Sequence, residues 1–168
     1  MFFGESTGIR YAQNPAPARE NVAKDEDEGK RDSSFIELER EKKGLAKDSA
    51  TVLVVDDEKL IRWSLNERLL ESGYHVLLAE NGRTALEWFE DGLCVDAILL
   101  DLKLPDVDGL DLLRRFREKS VCPVILMSAY GSPERIDEGM SLGAATFIPK
   151  PFDLDEMVRA VGAVLKPA

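Results

Sequence analysis

Five short apolar runs, each followed by a stretch of helical periodicity, constrain this chain more than any other feature. The runs are Val52-Leu53-Val54-Val55, Tyr74 to Ala79, Ala97-Ile98-Leu99-Leu100, Val124-Ile125-Leu126-Met127 and Ala145 to Ile148. Runs this short, without polar alternation, fit strands buried on both faces of a parallel sheet. After the first, Ile61, Leu65 and Leu69 recur at helical spacing, and Gly73 is a suitable C′ residue. The pair Asn81-Gly82 ends the second strand, and a helix follows with Ala85, Leu86 and Phe89 inward and a stop at Gly92. The third carries Leu110, Leu113 and Phe116 inward. Ser132-Pro133 supplies N-cap and N1 for a fourth, with Ile136 and Met140 expected inside and Gly143 at its end. Asp153, with Glu156 three residues on, opens the last, through Leu154, Met157, Val158, Val161 and Leu165. Strands alternating with helices imply a parallel sheet covered on both faces by right-handed crossovers. Five such units are too few for a (β/α)₈ barrel. The expected fold is therefore α/β, a doubly wound five-stranded parallel sheet over residues 51–168.

Residues 1–50 follow different rules. Asn14-Pro15-Ala16-Pro17 is turn-prone and Lys24 to Arg31 is almost entirely charged, a composition with too little apolar surface to offset chain entropy. The expectation is a disordered or partly helical extension, with Ser34 and Glu37 able to cap a short helix from Phe35 to Lys43. Lys plus Arg number 22 and Asp plus Glu 32, a net charge of −10, which argues against direct nucleic-acid binding. Cys94 and Cys122 have no metal-ligand spacing and are expected to be reduced, partly buried thiols. His75, the only histidine, is expected to be a structural or surface residue. The start, Met1 to Glu5, has no basic region before an apolar core, and no segment approaches the ~18 apolar residues of a span. The expected location is the cytoplasm, without membrane contact.

Parallel strands bring their carboxyl ends to one edge, where open α/β sheets bind ligands. The first strand delivers Asp56 and Asp57 there, the third Asp101, the fourth Ser128, and the fifth leads to Lys150. Three gathered carboxylates repel unless protonated or paired with a cation, and a shallow all-oxygen site suits Mg²⁺. A carboxylate beside such a cation is able to act as a nucleophile toward phosphorus, forming an aspartyl phosphate. The transferred group then needs cations and donors around its oxygens, which the Lys150 ammonium and Ser128 hydroxyl provide.

The strings Val54-Val55-Asp56-Asp57-Glu58, Leu100-Asp101-Leu102-Lys103-Leu104-Pro105-Asp106-Val107-Asp108-Gly109, Met127-Ser128-Ala129 and Phe147-Ile148-Pro149-Lys150-Pro151-Phe152 resemble the receiver domains of two-component response regulators. The resemblance covers about 118 residues, 51–168. It implies the strand order 2-1-3-4-5, Asp101 as phosphoacceptor, and Asp56, Asp57, Asp101 and the Lys103 backbone carbonyl as Mg²⁺ ligands. It places Ser128 and Phe147 at the switch positions, Lys150 at the family's lysine, and a cis peptide at Lys150-Pro151. Phosphorylation is then read on the face formed by the fourth helix, fifth strand and fifth helix. Leu60, Trp63 and Ser64 match the docking region for a phosphodonor, with Trp63 expected to be at least partly exposed.

The implied function is a phosphorelay receiver rather than an enzyme, with weak autophosphorylation or autophosphatase activity at most. Its partners would be a histidine kinase or histidine phosphotransfer protein, and an effector or a C-terminal output domain beyond Ala168; a phosphorylation-dependent dimer is compatible with this. Ile61-Arg62-Trp63 and Asp101 to Pro105 resemble receivers of nitrogen-regulation-type activators. Two rivals stand beside this reading. A Mg²⁺-dependent aspartyl-phosphate phosphohydrolase would want an acid two residues past Asp101, where Lys103 stands. A phosphate-independent interaction module would keep the fold without needing the acid, hydroxyl and lysine set.

Overall fold

The computed structural model describes residues 49–90, 94–119, 122–129 and 131–166. The extension with its Ser34-capped helix, and the Gly92 stop, lie outside the described residues. Strands β1 (Thr51–Val55), β2 (His75–Ala79), β3 (Ala97–Asp101), β4 (Val124–Ser128) and β5 (Thr146–Pro149) form one sheet in the order β2-β1-β3-β4-β5. All neighbouring pairs are parallel, with Val54 between Leu78 and Leu99 and with Leu126 beside Phe147. Helices α1 (Lys59–Glu71), α2 (Gly82–Glu90), α3 (Gly109–Lys119) and α4 (Pro133–Ser141) connect them, and α5 (Leu154–Leu165) follows β5.

The side-chain alternation of each strand divides the core into two layers. Leu53, Val55, Ile98, Leu100 and Leu126 meet α2 and α3 through Ala85, Leu113 and Phe116. Val52, Val54, Leu99, Ile125 and Met127 meet α1 and α5 through Leu65, Leu69, Met157 and Val161. β1, β3 and β4 are buried along their whole length, which is why their sequences carry no polar alternation. Helix ends follow local chemistry. Gly73 has φ +87°, and its amide donates to the Leu70 carbonyl at 2.9 Å, closing α1. Ser132 accepts from the Arg135 amide at the start of α4, and Asp153 accepts from Asp155 and Glu156 at the start of α5.

Some expectations need correction. Met140 is exposed, not inside: Gly139 holds the inward position of α4, so close to the sheet that a Cβ there would lie 2.4 Å from Leu126 Cδ1. The absence of a side chain at Gly139 lets α4 seat low and turns Met140 to solvent. Cys94 is exposed, because it lies before the buried segment of β3, whereas Cys122 is half-buried. His75 is buried on the edge strand, and Tyr74 lies just outside β2. Leu78, in the same strand, is 37% exposed because an edge strand has a neighbour on one side only.

The loop between β3 and α3 is held from both ends. A Cβ on Gly109 would lie 2.5 Å from Leu102 Cα and 2.7 Å from the Asp101 carbonyl oxygen, so only glycine lets the chain return this closely. Asp106 reaches from this loop to the start of α2, accepting from the Gly82 and Arg83 amides at 2.9 Å each. Asn81 accepts from Thr84 N at 2.8 Å, so α2 has its first amides satisfied largely by side chains from two loops. Burial pushes the Asp106 carboxyl up, but the two amide bonds outweigh it and hold it below the ordinary aspartate range. A depressed carboxylate contributes stability above its unfolded pKa and loses it as pH falls through the folded value. Replacing Asp106 by Ala should therefore cost about 1 kcal/mol at neutral pH. In urea titrations across pH, the gap between the two proteins should close below the ordinary aspartate range.

Candidate functional site

Directly after β1 comes Asp56, which is fully buried, and the chain turns outward to the exposed Asp57 before α1 begins. β3 ends at Asp101, 4% exposed. Each of the three acids offers an oxygen, and these oxygens lie within 4.8 Å of one another. Two carboxylates at such a distance, in surroundings of effective dielectric about 20, repel by roughly 3 kcal/mol. That is a large fraction of a domain's net stability, so a compensating cation is required.

Lys150 is that cation within the chain. Its Nζ lies 2.6 Å from Asp101 Oδ2, 2.7 Å from Asp56 Oδ2 and 3.1 Å from Glu58 Oε1, with only 6% of its side chain exposed. Burial works against the ammonium, but hydrogen bonding to Asp101 and the neighbouring charges of both aspartates outweigh it and hold Lys150 well above the ordinary lysine range. The residue is placed by its backbone as well: Lys150 N donates to the Ser128 carbonyl at 2.9 Å, and the following Lys150-Pro151 peptide is cis. Asp101 has its second oxygen occupied too, since Oδ1 accepts from Lys103 N at 3.0 Å. Asp56 Oδ1 accepts from Glu58 N at 2.8 Å.

The remaining oxygen, Asp56 Oδ2, is buried without an aligned hydrogen-bond donor, although the ammonium is close. Burial pushes the Asp56 carboxyl above the ordinary aspartate range; the Lys150 ammonium and the Glu58 amide oppose this, and the Asp101 charge adds to it. Three hard oxygen donors, one of them buried and under-satisfied, form a set suited to a small divalent cation.

Ser128, 5% exposed, ends β4 on the same face as Leu126, and Leu126 pairs with Phe147 across the strands. Phe147 is half-buried, and its ring tip lies 3.3 Å from where a Cβ on Gly131 would stand, so ring and loop are neighbours. Leu60 (72% exposed), Trp63 (46% exposed) and the half-buried Ser64 lie near the start of α1. Lys103 is on the surface and its backbone pairs with that of Asp108 in a single antiparallel bridge; its amide is the group that meets Asp101.

The structure thus brings together Asp56, Asp57, Asp101 and Lys150, with Ser128 joined to Lys150 through the backbone. Sequence reasoning passed over Glu58, the third acid on the ammonium, although its place directly after the acidic pair was a usable signal. It also passed over Arg135, whose guanidinium takes both oxygens of Asp108 at 3.0 and 2.8 Å beside a cleft shared with Ser128.

Residues 52–162 match the family described as the response regulator receiver domain. Sporulation initiation phosphotransferase F of Bacillus subtilis is 41% identical over 112 residues, 66% of this chain and 89% of that protein. Regulatory protein AtoC of Escherichia coli K12 is 40% identical over 107 residues, 63% of this chain but 23% of that protein. For transcriptional regulatory protein CpxR of the same organism the identity is 36% over 115 residues, covering 68% and 49%. The chain therefore spans a quarter to a half of the length of these last two. Among solved structures, the receiver domain of Francisella response regulator 1452 has a TM-score of 0.65 at 32% identity, covering 70% of this chain and 97% of that one. Chemotaxis protein CheY4 of Vibrio cholerae has a TM-score of 0.66 at 31% identity, covering 70% and 99%.

The buried acid yields a prediction about stability. A carboxyl whose folded pKa is raised imposes a cost above that pKa, relieved as pH falls through it toward the unfolded value. In chelator-containing buffer, Asp56→Asn should melt a few degrees higher than wild type at neutral pH. Thermal melts should show that advantage vanishing once pH drops below the ordinary aspartate range.

Proposed function

The chain belongs to the response regulator receiver family, and on that premise we propose that Asp101 accepts a phosphoryl group from a phosphohistidine in a kinase or phosphotransfer protein. The observation that carries this is the state of the Asp101 carboxylate: it is buried at a strand end, with one oxygen on Lys103 N and the other on the Lys150 ammonium. A carboxylate held at both oxygens has a defined direction of attack, and its neighbours supply the charge that an incoming phosphoryl group needs.

In the transfer, the phosphorus–nitrogen bond of the donor breaks and a phosphorus–oxygen bond to Asp101 forms. The donor imidazole retains the electron pair. Asp56, Asp57 and Asp101, with the Lys103 carbonyl, would hold Mg²⁺, which when bound offsets negative charge on the phosphoryl oxygens. Lys150 then keeps its ion pair with the acids while its ammonium also meets a phosphoryl oxygen. Ser128 donates its hydroxyl to another, and Phe147, on the same face, follows into the space the hydroxyl leaves. Each step favours one of two packings of the α4–β5–α5 face, a population shift that a partner reads. Leu60, Trp63 and Ser64 would meet the phosphodonor, since Leu60 and Trp63 are large apolar side chains in solvent at the start of α1.

The chain therefore works as a signalling receiver with a cation-dependent acyl-phosphate state. Among the described residues no helix is long and apolar enough to cross a membrane. The test is intact-protein mass after incubation with acetyl phosphate and Mg²⁺. Wild type should gain one phosphoryl group, labile to hydroxylamine, and lose the gain without Mg²⁺ or as Asp101→Asn. If neither this adduct nor a Mg²⁺-dependent thermal shift with beryllofluoride occurs, the phosphate-independent interaction module replaces this reading.

A further inference from the structure

Arg62 has a use that docking and phosphoryl transfer leave unassigned. It lies one turn into α1, where its amide donates to the Glu58 carbonyl at 3.0 Å, yet its side chain turns back toward the sheet and is only 14% exposed. Nη1 donates to the Asp56 carbonyl oxygen at 2.7 Å, and Nη2 lies 3.6 Å from Glu80 Oε2, past the end of β2. One guanidinium thus ties together the ends of two strands and the first helix. Arginine is seldom withdrawn from water without a partner that needs it.

The carbonyl it grips is the informative part. Asp56 is beyond the last ladder pairs of β1, Val55 with Ala79 and Val55 with Leu100. Its oxygen belongs to the planar peptide unit that joins Asp56 to Asp57, the two adjacent acids of the cluster. With β1 before it and α1 after it, rotation of that plane changes ψ of Asp56 and φ of Asp57 in opposite senses, so the grip on its oxygen restrains both, and with them the directions in which the two side chains leave the backbone. The Glu58 amide on Asp56 Oδ1 holds the first side chain, while Arg62 holds the backbone between the two.

We propose that Arg62 is a positioning residue for the divalent cation, holding the Asp56–Asp57 peptide in the orientation that presents both acids to the ion. This rests on the reading that these acids hold Mg²⁺. Partners that orient metal ligands typically change metal affinity by ten- to a hundredfold when removed. The apparent Mg²⁺ dissociation constant should accordingly rise about tenfold in Arg62→Met. Arg62→Lys, whose ammonium is able to donate to the same carbonyl, should stay within about threefold of wild type.

The experiment is a series of thermal melts of the full chain at increasing Mg²⁺ concentration. The starting melting temperature reports stability, and the rise with Mg²⁺ reports affinity. Arg68→Met is the control: it removes another α1 arginine, one that pairs with Asp155 at 2.7 Å away from the acids. Support is a weakened Mg²⁺ response in Arg62→Met, restored in Arg62→Lys and unaltered in Arg68→Met. A wild-type rise matched by Arg62→Met, or an equal weakening in Arg68→Met, overturns the role of Arg62 and leaves the cation reading intact. A flat wild-type curve removes the cation reading itself, and the inference with it. Should Arg62→Met fail to fold, Arg62→Gln, which stays polar but lacks the reach, takes its place with the same expected loss.

Discussion

A parallel sheet sends every strand's carboxyl end to one edge, and here that edge receives Asp56, Asp57 and Asp101 within 4.8 Å of one another. Mutual repulsion of the buried pair is comparable to several kilocalories of a marginal stability, so the remainder of the molecule has to hold together what charge would separate. It does so with apolar strands that are buried from end to end and with one lysine brought in from β5. The ammonium of Lys150 is both the counter-ion of the cluster and, through its amide on the Ser128 carbonyl, part of the link to the neighbouring strand. Charge compensation and a backbone contact between strands are thus carried by one residue.

Around this edge the loops are fastened by backbone contacts more than by bulk. Gly109 lets the loop after β3 fold back onto the Asp101 carbonyl, and Asp106 in that loop caps α2. On the opposite side of the cluster, Arg62 and Glu58 hold the turn after β1. The acids sit on rigid strand ends, while their orientation is set by this ring of amides and one guanidinium. α4 contrasts with this arrangement. Among its residues only Gly139 is buried, and Arg135 with Asp108, and Arg114 with Glu138, tie it to its neighbours by ion pairs at the surface. Partly exposed ion pairs contribute little each, so these contacts add little to the seating of α4.

Much of this was legible in the residues alone. Apolar runs without alternation, punctuated by glycine and cap residues, specified the number and kind of elements, because burial on both faces leaves no room for a polar residue. Acids placed directly after such runs specified the site, because parallel topology has only one carboxyl edge. Other features were not legible. Gly139 rather than Met140 faces the sheet because the spacing between α4 and β4 is a tertiary quantity, and helical periodicity cannot resolve a one-residue rotation when glycine is the better fit. The partners of Glu58, Arg62 and Arg135 were not legible either, since a charged side chain's partner is chosen by the geometry of loops that are distant in sequence.

The sequence by itself therefore determined the α/β alternation, the two-sided core and the identity of the clustered acids, all of which follow from local periodicity and the direction of the strands. Only the tertiary structure decided how those acids are compensated. It placed Lys150 between Asp56 and Asp101, gave Asp101 Oδ1 to the Lys103 amide, and set the Arg62 guanidinium on the peptide joining Asp56 to Asp57. The physical reason is range. Hydrophobic pattern acts through neighbours along one helix or strand, whereas charge pairing and hydrogen bonding depend on ångström-scale distances between segments that meet only after the sheet has formed.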